Sequence, residues 1–463
     1  MPRGAGKTHR DHAIVIGGGV AGLLTSHVLT QHYARVTLFD RDLLPDEPVA
    51  RTGVPQGRHV HVLLTRGDRI FRRYFPGFED DFRARQAPRV DWARDLKWHL
   101  AGGWLRRGPS EVISQNASRP LFEWVIRRHV VGAGKVRFVT GYAVDGLRTD
   151  GERVVGVDVR AHGRGERMTL DDEDVRADLV VDASGRGSKA VEWLEALGYG
   201  PPEVTEVNAH LGYASRILRH PKPAQFDWKN LYVINRAPLP ARSGVITSIE
   251  DGLWLVTLVG LNRDYPPTED AAWLEFARSL ASPEIHAALV DATPVTPLHA
   301  YRRTANRLRH FNRMRRWPAG FVCTGDAVCT LNPVYGQGMT TAARSAETLE
   351  QFLSKRSHRS GLVDEATGLA FQRRLARTCA VPFLLAVAED FRWPGTEGRR
   401  PPGVGLVHRY LDRVIRSAHR RVASTRVLFE VLHMLRSPAT VVRPDVLAAA
   451  LLLGGPPRAL SRR

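Results

Sequence analysis

The apolar positions near the start of the chain predict a buried strand that leads directly into a helix. Residues 13–16 are all apolar, as in a strand buried on both faces of a parallel sheet, and residues 23–29 continue with helical periodicity. The helix is predicted to begin at about Val20. A second apolar run at 36–39 ends on Asp40, so the pattern predicts a β–α–β unit.

The pattern changes character further along the chain. Strands are predicted at 136–140, 154–159 and 179–182, and helices from about Val60 and after Ser118, which can cap a helix with Pro120 in its first turn. From about Glu203, short β-rich segments predict an antiparallel sheet: 209–218, 230–235, 244–249 and 253–260. The other predicted elements are helices at 269–281, 283–290, 339–354, 365–391 (kinked at Pro382), 405–434 and 443–453, and strands near 295–304 and at 321–324.

Three glycines in the turn after the first strand, Gly17, Gly19 and Gly22, fit the spacing G-x-G-x-x-G. In that motif the first glycine allows a tight turn, the second lets a pyrophosphate approach the backbone, and the third lets helix and strand pack closely. Asp40 follows at the distance where a carboxylate is expected to meet a ribose hydroxyl. The motif predicts dinucleotide binding; the alternative is a glycine-rich turn of another α/β protein.

Two later turns also place an acid at a strand end and glycines after it. Asp182 closes the strand at 179–182, but its loop lacks the full glycine spacing and is interpreted as part of the first site. Gly325 and Asp326 follow the strand at 321–324, and Gly336 and Gly338 open the next helix. A carboxylate there can hold polyol hydroxyls, and a glycine-flanked helix N-terminus can stabilise negative charge. An ordinary strand–loop–helix unit is the alternative.

Four cationic or imidazole side chains near predicted helix starts are candidates for ligand binding. Arg58 and Arg119 could reach phosphate or a ring carbonyl, although Arg119 could equally be a solvated side chain. His59 and His61 suggest a metal site, but no carboxylate or third imidazole stands at ligand spacing. No metal is therefore expected.

Composition narrows the functional classes. The 463 residues are 43% hydrophobic and 25% charged, as in a globular protein of two or three domains, and no apolar run approaches the roughly 20 residues of a membrane span. The basic amino terminus has no apolar stretch behind it, unlike a secretory signal. Cys323, Cys329 and Cys379 form neither a disulfide framework nor a zinc motif, so a cytoplasmic location is expected.

The formal net charge of +19 favours acidic partners through long-range attraction. No base-stacking aromatic residues are interleaved with the arginines, so nucleic acid is not expected as a partner. An acidic carrier protein that presents a tethered substrate is a hypothesis that fits this charge.

Three separated stretches together resemble FAD-dependent monooxygenases of the p-hydroxybenzoate hydroxylase fold. They are the Gly17–Gly22 loop with Asp40, residues 182–188, and Gly325-Asp326 with residues 333–339. A narrower resemblance, to bacterial flavin epoxidases of polyether pathways such as those of monensin and lasalocid, rests on residues 54–59, 118–120, 332–339 and 389–398. The similarity runs from His12 to about Leu453.

This resemblance implies a role for each matching residue. It implies that the glycine loop binds the FAD pyrophosphate, that Asp40 with neighbouring Arg41 lies at the adenosine ribose, and that Arg58 and Arg119 contact FAD phosphate or ribityl groups. Gly325 and Asp326 would hold the ribityl chain. Asp182 and Arg186 match only part of the family's second fingerprint. The isoalloxazine edge would be lined by Pro333, Gly336, Gly338 and Met339.

The resemblance also implies the chemistry. Reduced FAD reacts with O2 to give a flavin C4a-hydroperoxide, which transfers one oxygen to a hydrophobic small molecule, most simply an alkene of a polyketide or polyene intermediate. NAD(P)H supplies electrons directly or through a flavin reductase, since the chain contains one complete dinucleotide fingerprint. The protein's part is to orient the substrate and exclude water, so no protein nucleophile is expected.

Other functions of related flavoproteins remain open at this point. Aromatic hydroxylation uses the same oxygen donor. Halogenation usually needs a W-x-W-x-x-P segment and a lysine beside a tunnel; no tryptophan pair has that spacing, and Trp228-Lys229 lies in a predicted loop. Reduction of prenyl chains and a non-enzymatic FAD-binding scaffold are the remaining alternatives.

The predicted fold class is α/β, with a Rossmann-like FAD-binding domain, a β-sheet substrate domain and a C-terminal helical segment. The predicted boundaries are a disordered tail at 1–11, a discontinuous FAD-binding domain at 12–80, 105–200 and 300–358, a substrate domain at 81–104 and 201–299, and a helical region at 359–463.

Overall fold

The computed structural model describes residues 11–163, 169–220, 226–236, 241–355 and 364–455. The predicted tail at 1–11 lies outside the described residues except for Asp11.

The strands alternate with helices in the amino-terminal part and follow one another in the middle of the chain. The first ten are β1 His12–Ile16, β2 Arg35–Asp40, β3 Arg89–Asp91, β4 Leu96–Leu100, β5 Gly103–Trp104, β6 Ile113–Gln115, β7 Val136–Thr140, β8 Tyr142–Asp150, β9 Arg153–Ala161 and β10 Leu179–Asp182. The next ten are β11 Val204–Val207, β12 Gly212–Arg219, β13 Asn230–Ile234, β14 Arg242–Ser248, β15 Leu253–Gly260, β16 Thr293–Pro294, β17 His299–Tyr301, β18 Asn306–Arg309, β19 Phe321–Cys323 and β20 Cys329–Thr330.

The helices cover the sheets and make up the carboxyl-terminal region. They are α1 Val20–Leu29, α2 Thr65–Tyr74, α3 Phe78–Ala84, α4 Trp92–Asp95, α5 Arg119–Gly132, α6 Asp172–Val175, α7 Ala190–Ala196, α8 Asp270–Arg278, α9 Glu284–Val290, α10 Gly338–Ser354, α11 Glu365–Asp390, α12 Val404–Ala418, α13 Val422–Leu432 and α14 Pro444–Leu453. Among the described helices, none is long and apolar enough to cross a membrane.

A five-stranded parallel sheet in the order β19-β10-β1-β2-β7 carries the nucleotide motif. Ile16 at the end of β1 pairs with Phe39 and Asp182, and Asp182 in turn pairs with Cys323. The carboxyl ends of four neighbouring segments therefore meet at one edge, which is where ligands bind in open parallel sheets.

The second large sheet has the order β16-β12-β15-β14-β13-β4-β5, with β17 added on β12. Its strands pair antiparallel except for β13 with β4. One face packs under α8 and α9 through Trp273, Phe276 and Leu289. Ala214 of β12 belongs to this cluster, so Tyr213 and Ser215 lie on the opposite face of the sheet because strand residues alternate between faces. The two sheets and the C-terminal helices confirm the predicted α/β class.

Two predicted helices differ in the structure. The helix predicted from about Val60 begins instead at Thr65. The preceding segment is extended because the Val60 amide donates to Thr257 Oγ1 at 3.2 Å and the Leu64 amide donates to Thr340 Oγ1 at 3.1 Å. The single helix predicted at 405–434 is two helices, since the chain turns at Arg421, whose backbone is extended.

The C-terminal region shares the core of the parallel sheet. Leu369, Phe371 and Leu375 of α11 belong to the same buried cluster as Ile14 and Leu38 of the sheet. Helix α11 ends at Asp390, which bonds Asn332 and Tyr335 in the segment after β20.

Candidate active site

The glycine loop after β1 is shaped by contacts that exclude side chains at two positions and leave the third open. Gly17 has φ +101°, and its amide donates to Phe39 O at 2.7 Å. A Cβ on Gly22 would lie 1.7 Å from Gly17 O, whereas a Cβ on Gly19 would meet no atom within 4 Å. The open space at Gly19 lies at the N-terminus of α1, where backbone amides favour an anion.

Asp40 is buried at the end of β2 and is already an acceptor of several protein hydrogen bonds. Its carboxylate accepts from the Gly18 amide at 2.6 Å and from the Asp42 amide at 2.8 Å, and it pairs with Arg51 Nη1 at 3.2 Å. Burial raises the pKa of Asp40, and the Arg51 charge opposes that rise. Arg51 Nη1 also contacts the second oxygen at 3.3 Å, so the roughly four acceptor sites of this carboxylate are in use. A ribose hydroxyl would therefore take the place of part of the Arg51 contact.

A chain of alternating charges links Asp40 to Arg119. Arg51 donates from Nε to Glu123 Oε1 at 2.5 Å, and Arg119 Nη2 lies 3.1 Å from Glu123 Oε2. Ser118 caps α5 by accepting from the Leu121 amide at 3.3 Å, which fixes Arg119 as the first helical residue. Sequence reasoning found Arg119 but missed Arg51 and Glu123, although the i,i+4 spacing of Arg119 and Glu123 was a readable signal.

The other predicted cationic residues lie further out. Arg41 is exposed after β2, and Arg58 is exposed at the end of a 3-10 turn, with Nη1 3.4 Å from His299 Nδ1. His59 is buried, and its Nδ1 lies 2.7 Å from Ser215 Oγ on β12. Burial lowers the pKa of His59 to about 3 and that of His61 to about 4, so both rings are neutral.

Asp182 is fully buried and organises its own loop. Its carboxylate accepts hydrogen bonds from Ser184 Oγ at 2.5 Å and Ser188 Oγ at 2.6 Å. Buried Arg309, which sequence reasoning missed, donates to Ser188 O at 3.1 Å and Ala327 O at 3.0 Å. This guanidinium fastens the loop after β10 to the loop after β19.

The loop after β19 lies directly against the glycine motif. A Cβ on Gly325 would lie 2.7 Å from the Ala21 Cβ of α1. Within the described part of the chain, no group hydrogen-bonds the Asp326 carboxylate. Burial raises the pKa of Asp326, while Arg186, Arg119 and Arg307 oppose the rise. The Asp326 carboxylate could accept hydrogen bonds from the hydroxyl groups of a polyol. The nearby guanidinium groups could bind a phosphate attached to that polyol.

The segment that follows turns twice before α10 begins. Pro333 starts a 3-10 turn to Tyr335, and Gly336 follows with φ +63°, close to Val62. Gly338 begins α10, and a Cβ added to it would meet no atom within 4 Å. The next residue, Met339, is buried. We call residues 332–338 the 332–338 turn.

Several features of these loops fit FAD. Arg119 Nε and Gln337 Oε1 are buried with no hydrogen-bond partner among the described residues, which is unfavourable unless a ligand supplies one. Gly19 and Gly338 are both open where helices α1 and α10 begin. Phosphate at one helix start and an electron-rich ring at the other match the positive ends of the helix dipoles.

Known proteins with related sequences support the same conclusion. Residues 11–362 match the model of the FAD binding domain family. Protein Rv3254 of Mycobacterium tuberculosis is 35% identical over 356 residues, covering 75% of this chain and 74% of that protein. Kynurenine 3-monooxygenase of Salinispora tropica is 25% identical over 390 residues, covering 78% and 75%. A putative polyketide hydroxylase of Streptomyces halstedii is 26% identical over 370 residues, covering 74% of this chain and 59% of that protein.

Solved structures share the fold. The flavin-dependent halogenase CmlS has a TM-score of 0.64 at 18% identity, covering 92% of this chain and 77% of that one. PqsL of Pseudomonas aeruginosa, a probable FAD-dependent monooxygenase, has a TM-score of 0.58 at 15% identity, covering 82% and 94%. At such identities the likeness concerns the fold alone. With the family match over most of its length, the chain belongs to the FAD binding domain family and is an FAD-dependent monooxygenase.

Proposed function

We propose that this monooxygenase epoxidises alkenes of a polyketide or polyene intermediate, as the resemblance to polyether-pathway epoxidases implies. The observation that carries the proposal is the neutral character of the sheet face beside the 332–338 turn. Val334 and Tyr301 are partly buried and pack against a buried cluster that contains Tyr213, and the rings of Tyr213 and Tyr301 lie 5.6 Å and 5.5 Å from His59. An apolar, aromatic lining suits a hydrophobic substrate.

The same groups are poor proton acceptors. A general base works best when its pKa is near the working pH, but burial lowers the pKa of His59 to about 3 and that of His61 to about 4. Hydroxylation of a phenol is assisted by a base that removes the phenolic proton, whereas an alkene has no such proton to lose. These two imidazole rings therefore supply no base. Asp390, whose pKa burial raises to about 7, already accepts from three side chains, Tyr335, Asn332 and Asn306. A substrate with no acidic proton to lose, such as an alkene, fits this face.

The loops would divide the binding of FAD between them. When bound and reduced by NAD(P)H, FAD supplies the oxygen-transfer chemistry. Gly17, Gly19 and Gly22 would admit the pyrophosphate at the start of α1, and Asp40 would accept from the adenosine ribose. Exposed Arg41 would lie at the rim of that half of the site.

The remaining residues would hold the middle and the ring of the cofactor. Arg119 and Arg58 would contact phosphate or ribityl oxygens, and Asp326, placed by Gly325, would accept from ribityl hydroxyls. The ring edge would lie along a line of residues in the 332–338 turn and α10: Pro333, Gly336, Gly338 and Met339. Asp182 would act indirectly, by shaping the loop packed against Gly17.

Aromatic hydroxylation is the second candidate, because the relatives include a kynurenine 3-monooxygenase and putative polyketide hydroxylases. Halogenation is less well supported. The Lys229 ammonium donates to Asp95 Oδ2 at 2.8 Å and Arg89 O at 2.7 Å, and Trp228 stacks on Trp254. Because its ammonium group is bonded to these two acceptors, Lys229 is poorly placed to act as the tunnel lysine that halogenation needs.

The net charge of +19 supports an acidic partner, either a carrier protein that presents the substrate or a flavin reductase. Such binding should weaken between 50 and 500 mM salt because exposed charges are screened. Turnover that is insensitive to salt would contradict a carrier-bound substrate.

The decisive experiment is anaerobic reduction of the FAD-loaded protein, followed by oxygen in the presence of polyene and phenolic candidates, with products read by mass and NMR. Epoxidation predicts the gain of one oxygen with loss of an alkene signal. Gain of oxygen on the phenol would select hydroxylation. A chlorinated product in the presence of chloride, or loss of a double bond without oxygen, would contradict the proposal.

A further inference from the structure

Asp390, the last residue of α11, is a fully buried carboxylate that lies beneath the 332–338 turn. Its Oδ1 accepts hydrogen bonds from Tyr335 Oη at 2.5 Å and Asn332 Nδ2 at 3.2 Å. Its Oδ2 accepts from Asn306 Nδ2 at 2.6 Å. Three donors from two separate segments therefore converge on one side chain.

The donors are themselves connected. Asn332 accepts from the Val334 amide through Oδ1 at 3.2 Å, and its own amide donates to Asn306 Oδ1 at 2.7 Å. Asn332 stands before the 3-10 turn and Tyr335 closes it, so Asp390 holds both ends of the segment that leads to Gly336 and α10.

None of the described cations bonds the Asp390 carboxylate. The nearby guanidinium groups belong to the neighbouring acid: Arg236 Nη2 and Arg392 Nε both lie 2.9 Å from Glu389. The titratable groups that face Asp390 are Glu389 of the same helix, Tyr335 of the turn and Tyr213 of β12. A carboxylate buried without a counter-ion is costly, which points to a role beyond packing.

We propose that Asp390 is a positioning residue that clamps the 332–338 turn against the flavin ring, and that only its ionised form makes the complete clamp. The proposal rests on the assignment of this turn to the flavin, made above. Protonation turns one carboxyl oxygen into a donor and a poorer acceptor, so the bond to at least one of the three donors is weakened or reversed.

The environment places this change near neutral pH. Burial raises the pKa of Asp390 to about 7, with Glu389 adding to the rise and the bonds from Tyr335 and Asn332 opposing it. FAD affinity is therefore expected to increase as the pH rises from 6 to 8. Because the folded pKa lies above the unfolded value, Asp390 should lower the stability of the apo-protein as the pH rises from about 4 to about 7, and this decline should level off at higher pH.

The test is titration of the full-length apo-protein with FAD at pH 6, 7 and 8, followed by flavin fluorescence and visible circular dichroism. In Asp390→Asn one acceptor becomes an NH2 group that faces a donor. We expect FAD to bind at least tenfold more weakly at pH 8, with the pH dependence lost and the visible spectrum altered. Asp412→Asn is the matched control, because Asp412 bonds Arg236 and Arg392 but not the turn.

If Asp390→Asn does not fold, Tyr335→Phe decides the matter, since it removes one bond and keeps the ring. We expect a smaller loss of affinity in the same direction and a shifted pH midpoint. Wild-type affinity and wild-type pH dependence in the variant that folds would overturn the proposal. No substrate is present, so these results are independent of the epoxidation test, and failure of the wild-type protein to bind FAD would reject the site itself.

Discussion

Gly19 is a position where a glycine is expected to matter for ligand binding but not for folding. Its backbone, with φ −77° and ψ −178°, is one that alanine adopts, and an added Cβ would touch no protein atom. Gly19→Ala should therefore leave the thermal unfolding of the apo-protein unchanged. It should weaken FAD binding at least tenfold, equivalent to about 1.4 kcal/mol, because the methyl group would occupy the space of the pyrophosphate. Isothermal titration with FAD measures the effect.

Gly132→Ala provides the control for this variant. Gly132 is the last residue of α5, and its added Cβ also meets no atom within 4 Å. FAD affinity should stay at the wild-type value. If Gly19→Ala bound FAD as tightly as Gly132→Ala, the pyrophosphate would have to lie elsewhere.

For single residues, the sequence predicted those that belong to a motif but not those that hold the motif residues in place through hydrogen bonds. Gly17 and Gly22 could be assigned because their spacing has a physical meaning. Arg51 lies in a loop without periodicity, so its bonds to Asp40 and Glu123 depend on a folded arrangement that spacing does not encode. Asp390 has no local motif of its own and lies within residues 389–398, which resemble the polyether-pathway epoxidases.

At the scale of elements, the start of α5 decides where Arg119 lies. Ser118 accepts from the Leu121 amide, and its own amide donates to Glu250 Oε2 at 2.8 Å. Ser118→Ala removes the side-chain cap and should lower the free energy of unfolding by about 1 kcal/mol. Urea denaturation monitored by circular dichroism measures this loss.

Ser437→Ala tests whether the effect belongs to the α5 cap rather than to the loss of any serine. Ser437 accepts from the Ala439 amide at 3.3 Å, but it caps an exposed 3-10 helix, Pro438–Val442. Its replacement should cost less than that of Ser118. No measurable loss in Ser118→Ala would mean that the bond from the Ser118 amide to Glu250, not the Ser118 hydroxyl, fixes the start of α5.

Elements were predictable where two independent signals coincided. The first helix begins at Val20 as predicted, since the glycine motif and the apolar period agree there. The segment from Val60 to Leu64 has a helical pattern but is extended, because Thr257 and Thr340 take its amides. Thr257 and Thr340 are distant in sequence, so the local pattern of residues 60–64 could not predict these hydrogen bonds.

At the scale of the whole molecule, the site results from strand order. The loops after β1, β10 and β19 come together because these strands are parallel neighbours. Sequence analysis expected the loops to share one site, and parallel strands explain why their carboxyl ends meet. It did not show that α11 enters the same core and places Asp390 beneath the 332–338 turn, since an apolar helical pattern does not identify the element that the helix packs against.

Several buried histidines should make the whole protein sensitive to acid. Burial lowers the pKa of His12 and His61 to about 4, and that of His59 and His433 to about 3. Between pH 6.5 and those values the unfolded chain binds more protons than the folded one, so the free energy of unfolding falls as the pH falls. Each such histidine should contribute a loss of about 2 kcal/mol between pH 7 and pH 5.

His433→Asn isolates one of these contributions from the opposing effect of buried acids such as Asp390. The Asn oxygen can replace His433 Nδ1 as acceptor for the Thr65 amide, now 3.1 Å away. Urea denaturation at pH 7 and pH 5 should show a smaller difference in the variant, by about 2 kcal/mol. His162→Asn is the control, because an exposed ring is hydrated in the folded and unfolded chains alike. An unchanged pH difference in His433→Asn would show that this ring is not held neutral by burial.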